Sequence, residues 1–379
     1  MNKLSVAVAV CCALATNYVN AEVRINGFAS IIGGKSLDSE QTIYGYDDDI
    51  SFKNESVFAL QLSADLQEKL TATAQIVARG DNDFDADFEW AYLTYQLNDE
   101  IQISAGKMRA PFYKYSDFLD VGYAYRWVRP PQSVYSIAFS TYEGLSLLYD
   151  TQMGDWDSSL QLIYGSYDGN LNGSASKTIL NDFTGINWSV TRDWFSARVA
   201  YLQAESSTEL STDSSLYGLL ATLNENGLVE QAKSLDIDEE DARFYALGFS
   251  IDYNDVLFDA EYTKLNPGDS LLPEETQYYA SIGYRMDEII VHFTYEDNDD
   301  ANDSSSYDQI PEIPALNAAI NGSFDAFNAQ DNVYTIGVRY DFHPSAAFKI
   351  DFSRYENNIT DTETETETDV VAVGVDLVF

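Results

Sequence analysis

Cysteine is confined to the first dozen residues. Cys11 and Cys12 sit together near the amino terminus, and no thiol follows in a chain of 379 residues. Everything after them can form neither a disulfide nor a Cys-ligated metal site. Positive charge is also scarce: 21 Lys and Arg stand against 62 Asp and Glu, a formal net charge of −41 at pH 7. That balance excludes a nucleic-acid binder, which needs a cationic surface. Only two histidines occur, His292 and His343. They are too few and too far apart for a zinc centre, and no Ser motif accompanies His292 to suggest a hydrolase triad. Finally, no apolar run after residue 21 is long enough for a membrane-spanning helix.

The amino terminus reads as an export leader. Met1-Asn2-Lys3 is a short cationic start, and Leu4 to Thr16 is an apolar run too short to cross a bilayer. Val19-Asn20-Ala21 suits cleavage, so residues 1–21 are expected to be a signal peptide and 22–379 the mature domain. Both cysteines then serve as apolar filler in the leader. The residues before them, Val10 and Cys11, poorly suit a lipoprotein site.

What is present is alternation with period two. Phe58, Leu60, Leu62, Ala64 and Leu66 alternate with polar partners, and Leu70, Ala72, Ala74 and Ile76 alternate with Thr71, Thr73, Gln75 and Val77. Such segments recur to the end of the chain, and each reads as a strand with unlike faces. Their connections alternate in length. Short turns fall at Gln67-Glu68-Lys69, Asn98-Asp99, Met153-Gly154-Asp155, Arg192-Asp193, Asn254-Asp255, Asp287 and His343-Pro344-Ser345. Long polar stretches fall at about 33–52, 80–86, 111–141, 168–180, 205–241, 266–274, 298–330 and 357–367. Fifteen connections join sixteen strands. A barrel with one trimmed and one elaborated end is expected, an all-β, antiparallel, transmembrane architecture with short periplasmic turns and long outer loops.

The last strand carries the same reading. Val371, Val373, Val375, Leu377 and Phe379 share one face, while Val370, Ala372, Gly374, Asp376 and Val378 share the other. Lipid suits the first face and a crowded or wet lumen the second. Trp90, Tyr92, Trp156, Trp188, Phe195, Tyr253, Tyr284, Tyr340 and Phe342 lie near strand ends, where rings at the water–lipid boundary form girdles. Short helices packed over the rim are expected at Leu216, Leu219, Leu220 and Leu223, at Pro314 to Ile320, and at Phe324 to Ala329.

The third long loop stands apart. Between 107 and 129 it holds five cations, Lys107, Arg109, Lys114, Arg126 and Arg129, against two acids, Asp117 and Asp120, with many aromatics between them. Its neighbours are acidic, as in Asp47-Asp48-Asp49 and Asp297-Asn298-Asp299-Asp300. A sticky, cationic loop is expected to fold inward over about 107–141, anchor its rings on the inner wall and line the constriction with its charges. Packing at the rim or in a subunit contact, with Arg–Asp pairs neutralising one another, is the alternative. A charge at the lipid midplane costs about 2–4 kcal/mol. The strand-borne Arg24, Glu89, Arg198, Asp252, Asp259, Glu261, Arg285, His292 and Arg339 are therefore assigned to the lumen wall.

Leader, sixteen alternating strands, a distinctive loop after the fifth strand and a terminal Phe379 together resemble the trimeric Gram-negative outer-membrane porins. The stretch Gly106 to Pro131 is similar to a segment of porin-like proteins from marine gammaproteobacteria. The resemblance implies a homotrimer in the outer membrane, one water-filled pore per subunit and a third loop folded inside as the constriction. It also implies that Phe379 is an assembly signal read by the barrel assembly machinery. In the usual porin eyelet an acidic loop faces a basic wall; here the loop is rich in base.

The expected function is passive diffusion of small hydrophilic solutes and ions, without covalent chemistry. The acidic mouth predicts cation accumulation, whereas the basic loop predicts anion preference at the narrowest point, the side this sequence reading favours. A structural or adhesive barrel with a plugged lumen is the alternative. No cofactor is expected. Asp81-Asn82-Asp83-Phe84-Asp85-Ala86 lacks the glycine and late glutamate of a calcium loop. Weak Ca²⁺ or Mg²⁺ binding by the acidic loops would bridge the rim to lipopolysaccharide. The run Thr360 to Glu367 reads as a solvated outer loop.

Overall fold

A computed structural model describes residues 22–38, 41–170, 176–212, 214–301, 314–325, 329–357 and 366–379. The expected signal peptide and most of the Thr360 to Glu367 run lie outside the described residues.

Sixteen strands follow in chain order. They are β1 (Val23–Ser36), β2 (Val57–Gln67), β3 (Leu70–Arg79), β4 (Ala86–Gln96), β5 (Ile101–Arg109), β6 (Thr141–Met153), β7 (Trp156–Asn170) and β8 (Lys177–Arg192). Then come β9 (Phe195–Glu209), β10 (Glu240–Tyr253), β11 (Val256–Asn266), β12 (Glu274–Met286), β13 (Ile289–Ala301), β14 (Ala329–His343), β15 (Ala346–Asn357) and β16 (Thr366–Val378). Each pairs antiparallel with its chain neighbours, and β16 pairs back onto β1, so the sheet is a closed barrel with no free edge.

Closure runs through the carboxyl terminus. The Phe379 amide donates to the Gly27 carbonyl at 2.9 Å, and the Gly27 amide donates to the Phe379 carbonyl at 2.7 Å. The Phe379 ring lies 6.1 Å from that of Phe58 and remains 61 % exposed on the outer face. In β16 the expected split of faces holds: Val370, Ala372 and Asp376 are buried inside, opposite the outward Val371, Val373, Val375 and Leu377. Trp188, Tyr253, Tyr284, Tyr340 and Phe342 are exposed outside, as girdle rings should be. Trp90 and Tyr92 differ from the expectation, because both turn into the lumen.

The alternation is interrupted at a few bulges, and these decide the interior. Glu89 has the parity of Ala91, Leu93 and Tyr95, which face outward. A register shift between Gln75 and Ile76, opposite Trp90 and Phe88, turns it inward instead. In β8 the register shifts between Asn181 and Thr184, with Asp182 at φ 48°, so that Leu180 and Phe183 are both buried inside.

Among the described residues three α-helices occupy the outer loops: α1 (Ser215–Glu225), α2 (Val229–Leu235) and α3 (Pro314–Asp325). Ser214 caps α1 by accepting from the Tyr217 amide at 3.1 Å. Leu219, Leu220 and Leu223 of α1 pack with Leu235 of α2, Leu316 and Ile320 of α3, and Leu271. Helix α2 had no clear sequence period. Among the described residues no helix is long and apolar enough to cross a membrane.

Candidate functional site

The β5–β6 connection, residues 110–140, folds into the barrel. Its rings account for the anchorage. Phe112 meets Phe139 and Phe244 edge-on at 5.2 and 5.1 Å, and Tyr113 lies 4.7 Å from Tyr135. They join Trp127, Phe183, Leu202 and Tyr279 in one buried cluster that welds the loop to the inner faces of β8–β12. Burying rings of this size supplies about 1.5–3 kcal/mol each, so the loop is held as a core is held.

The loop's polar groups are equally committed. Arg126 pairs with Asp259 of β11 at 2.5 Å, and Lys114 pairs with the same carboxylate. Arg129 forms a two-pronged pair with Glu55, its Nη2 contact being 2.8 Å. Arg109 and Arg79 share Asp120, at 2.5 and 2.9 Å, and both reach Glu89. The Lys114 amide and the Tyr135 hydroxyl donate to Glu261 at 2.7 and 2.6 Å. From the wall, Arg198 donates to the carbonyls of Pro111 and Phe112, and Arg339 to those of Tyr123 and Tyr125. Lys349 donates to the carbonyls of Gly122 and Trp127 at 2.6 and 2.7 Å while pairing with Asp376 at 2.8 Å.

Electrostatics follow from this pairing. Burial works against ionisation of Asp120, yet Arg109 and Arg79 hold its carboxyl below the usual range. Burial likewise opposes the charge on Arg129, and Glu55 overcomes it, leaving the guanidinium more firmly protonated than usual.

Arg109, Lys114, Arg126 and Arg129 lie inside, but as buried partners of carboxylates. Lys107 departs from the expectation: it registers with Ala91 on the outward parity, and its Nζ donates to the Phe88 carbonyl at 3.1 Å. Asp117 is exposed, and Asp120 is bound by two arginines. On the wall, Glu89, Arg198, Asp259, Glu261, His292 and Arg339 are buried inside. Arg24 pairs with Asp65, and Arg285 with Asp252, each at 2.7 Å near the strand ends. Sequence reasoning placed Asp376 on the lumen face without a partner, and gave no role to Arg79, Lys349 or Asp351. Lys349 and Asp351 alternate with Phe348, Ile350 and Phe352, so the signal was there to be read.

Two cavities of about 470 and 550 Å³ lie on the β1–β7 side and share Trp90, Arg109 and Asp117. The larger is walled by Thr71, Thr73, Thr94, Gln102 and Gln161, uncharged polar groups that suit a wet lumen.

A family model described as Gram-negative porin matches residues 5–360. The chain belongs to the Gram-negative porin family. This porin is thus an outer-membrane barrel forming a channel for passive diffusion. Solved structures agree on the fold. The outer membrane channel DcaP of Acinetobacter baumannii has a TM-score of 0.59 at 12 % identity, over 96 % of this chain and 99 % of its own. An anion-selective porin from Comamonas acidovorans has a TM-score of 0.56 at 12 % identity, over 95 % and 100 %. The trimer form of OmpT from Vibrio cholerae has a TM-score of 0.54 at 11 % identity, over 95 % and 99 %. No curated protein matches the chain. Among the described residues no group of three His, Cys, Asp or Glu side chains could hold a metal ion.

Proposed function

We propose that small hydrophilic solutes and ions cross past Arg109, Asp117 and Trp90, and that the passage favours cations. The observation that carries this reading is the unequal state of the loop's charges. The side chain of Arg109 is 7 % exposed and shared between two carboxylates, whereas Asp117 is exposed and borders both lumen cavities. The anion preference expected from five free loop cations is weakened, because four of them are paired with carboxylates, Lys114 and Arg126 sharing Asp259, and Lys107 sits on the outer parity. The cations hold the loop in place, and the field in the water comes from Asp117 and the acidic mouth.

Reversal potentials across a salt gradient in a planar bilayer test this. Cation preference, reduced by Asp117→Asn, supports the reading; anion preference in both proteins overturns it. The reading includes a homotrimer, supported by family membership and by the trimer form of the Vibrio cholerae relative. Conductance steps in groups of three and a threefold native mass are the expected signs. It also includes Phe379 as an assembly signal and divalent bridging of the acidic rim to lipopolysaccharide. A chelator is then expected to loosen the second.

A further inference from the structure

On the outer side of the inward-folded loop the barrel opens into a third cavity, of about 480 Å³. That size falls in the range of small-molecule sites. Its two walls are chemically opposite. On one side Leu180, Phe183, Leu202, Ala204 and Phe244 present an apolar surface, with Phe112 and Phe139 of the loop beneath. This surface is built, not incidental. The bulge at Asp182 turns both Leu180 and Phe183 inward, where strict alternation would have sent one of them to lipid. The space exists because Ala204 and Ala242 face each other across β9 and β10, where larger side chains would fill it.

The opposite wall carries Glu275, Asp300 and Asp331, with Asn298 between them. Asp331 is 8 % exposed, and its Oδ1 has no hydrogen-bond partner. The Oδ1 atoms of Asp300 and Asn298 are unpartnered too, although Asn298 donates its amide to the other oxygen of Asp300 at 3.1 Å. One oxygen of each of these three groups lacks a donor on this wall, although Tyr355 and Asn298 lie beside the Asp331 carboxyl and Gln277 beside that of Asp300. Buried carboxylate oxygens are stabilised by a donor, and most by a charged one. Among the described residues bordering the cavity, the one basic residue is Arg243. Its guanidinium turns outward to Asp241 at 3.3 Å.

We propose that this vestibule binds amphipathic amines, with an apolar ring against the β8–β10 wall and an ammonium group on Asp300 and Asp331. Neither half suffices alone. A small alkylamine has no surface to bury, and an aromatic carboxylate meets a wall of its own charge. The site goes beyond passive diffusion: it makes the channel mouth selective for one chemical class. It does not depend on the ionic preference argued at Asp117.

The test uses the full-length porin, folded in detergent and then in planar bilayers, with 1-naphthylmethylamine as probe. Propylamine and 1-naphthoate are the comparison compounds. Tryptophan fluorescence titration reads affinity, and transient current blocks read occupancy from the outer side. Binding of the naphthyl amine at least about tenfold tighter than either comparison compound is expected. Asp331→Asn is expected to weaken it about tenfold, and Ala242→Phe to abolish it by filling the cavity while leaving the barrel folded. Folded-band migration of Asp331→Asn on unboiled gels equal to the parent's shows that the loss is of binding and not of the barrel. Equal binding of 1-naphthoate overturns the proposal. So does affinity unchanged in both variants, which places the probe elsewhere. Failure of these arms leaves the reversal-potential result at Asp117 intact, so the two readings fail separately.

Discussion

At the scale of single residues, the loop's four inward cations, Arg109, Lys114, Arg126 and Arg129, are structural because each has a carboxylate within reach and little water. Arg129 and Glu55 make the sharpest case, since their side chains are 9 % and 15 % exposed. Removing one member strands the other charge, at a cost of about 3–5 kcal/mol, while replacing both by apolar groups is far milder. Arg129→Ala is therefore expected to loosen the loop. Trypsin then cleaves at the neighbouring Arg126 faster than in the parent, and single-channel current grows noisier. The double variant Glu55→Leu/Arg129→Met is expected to recover much of the quiet state. Asp120 gives the pH dependence. Its folded-state carboxyl is held below the ordinary range, so its contribution to loop docking is complete above about pH 4 and fades as pH falls below that. Current noise should rise on acidification through that window and not on a shift from pH 8 to 6. At this scale the sequence was only partly legible. The composition of the loop announced that it turns inward, but whether Arg109 meets water or Asp120 depends on approach in space. Lys107 was misplaced because one residue of register at a strand end exchanges lumen for outer face.

At the scale of elements, the turns and strands were legible and the bulges were not. Alternation identifies a strand from a handful of residues, and the short turns announce themselves through Asn, Asp and Gly. A bulge adds one residue to one strand and leaves composition unchanged, so Phe183 gave no local sign of its final orientation, and Glu89 was placed inward by its charge and against its parity. The bulged strands also carry the third loop's partners, Glu89 for its arginines and Phe183 for its rings. The closing seam is the element most open to test. A Cβ on Gly27 would lie 2.4 Å from the Phe379 ring and 2.9 Å from the Ala59 carbonyl. The ring can swing aside but the carbonyl of a paired strand cannot. Gly27→Val is expected to force β1 from β2 beside the seam and lower the temperature at which the folded band converts to the unfolded one on unboiled gels. Phe379→Ala, which clears the ring and keeps the backbone pair, should lower it less.

At the scale of the whole molecule, a chain of net charge −41 encloses a loop whose excess cations are paired by carboxylates from outside it, Glu55, Glu89 and Asp259. The acidity is carried mainly by the outer loops and the channel mouth, where water reaches it, and such fields are screened by salt. The Debye length is about 10 Å at 0.1 M and about 3 Å at 1 M. The first lets the field of the outer loops act several water diameters away, and the second confines it to about one. Cation preference should therefore be strongest in dilute salt and fall several-fold between 0.1 and 1 M KCl, as read from reversal potentials at a fixed concentration ratio. The part owed to Asp117 behaves differently. That carboxylate borders both lumen cavities, and if ions cross past it as proposed they meet it with less intervening salt. Asp117→Asn should remove most of the preference that survives at 1 M and a smaller share of that seen at 0.1 M. An anion preference emerging at high salt would mean that Lys114 or Arg126 reaches the water after all, and that the pairs with Asp259 open in the membrane.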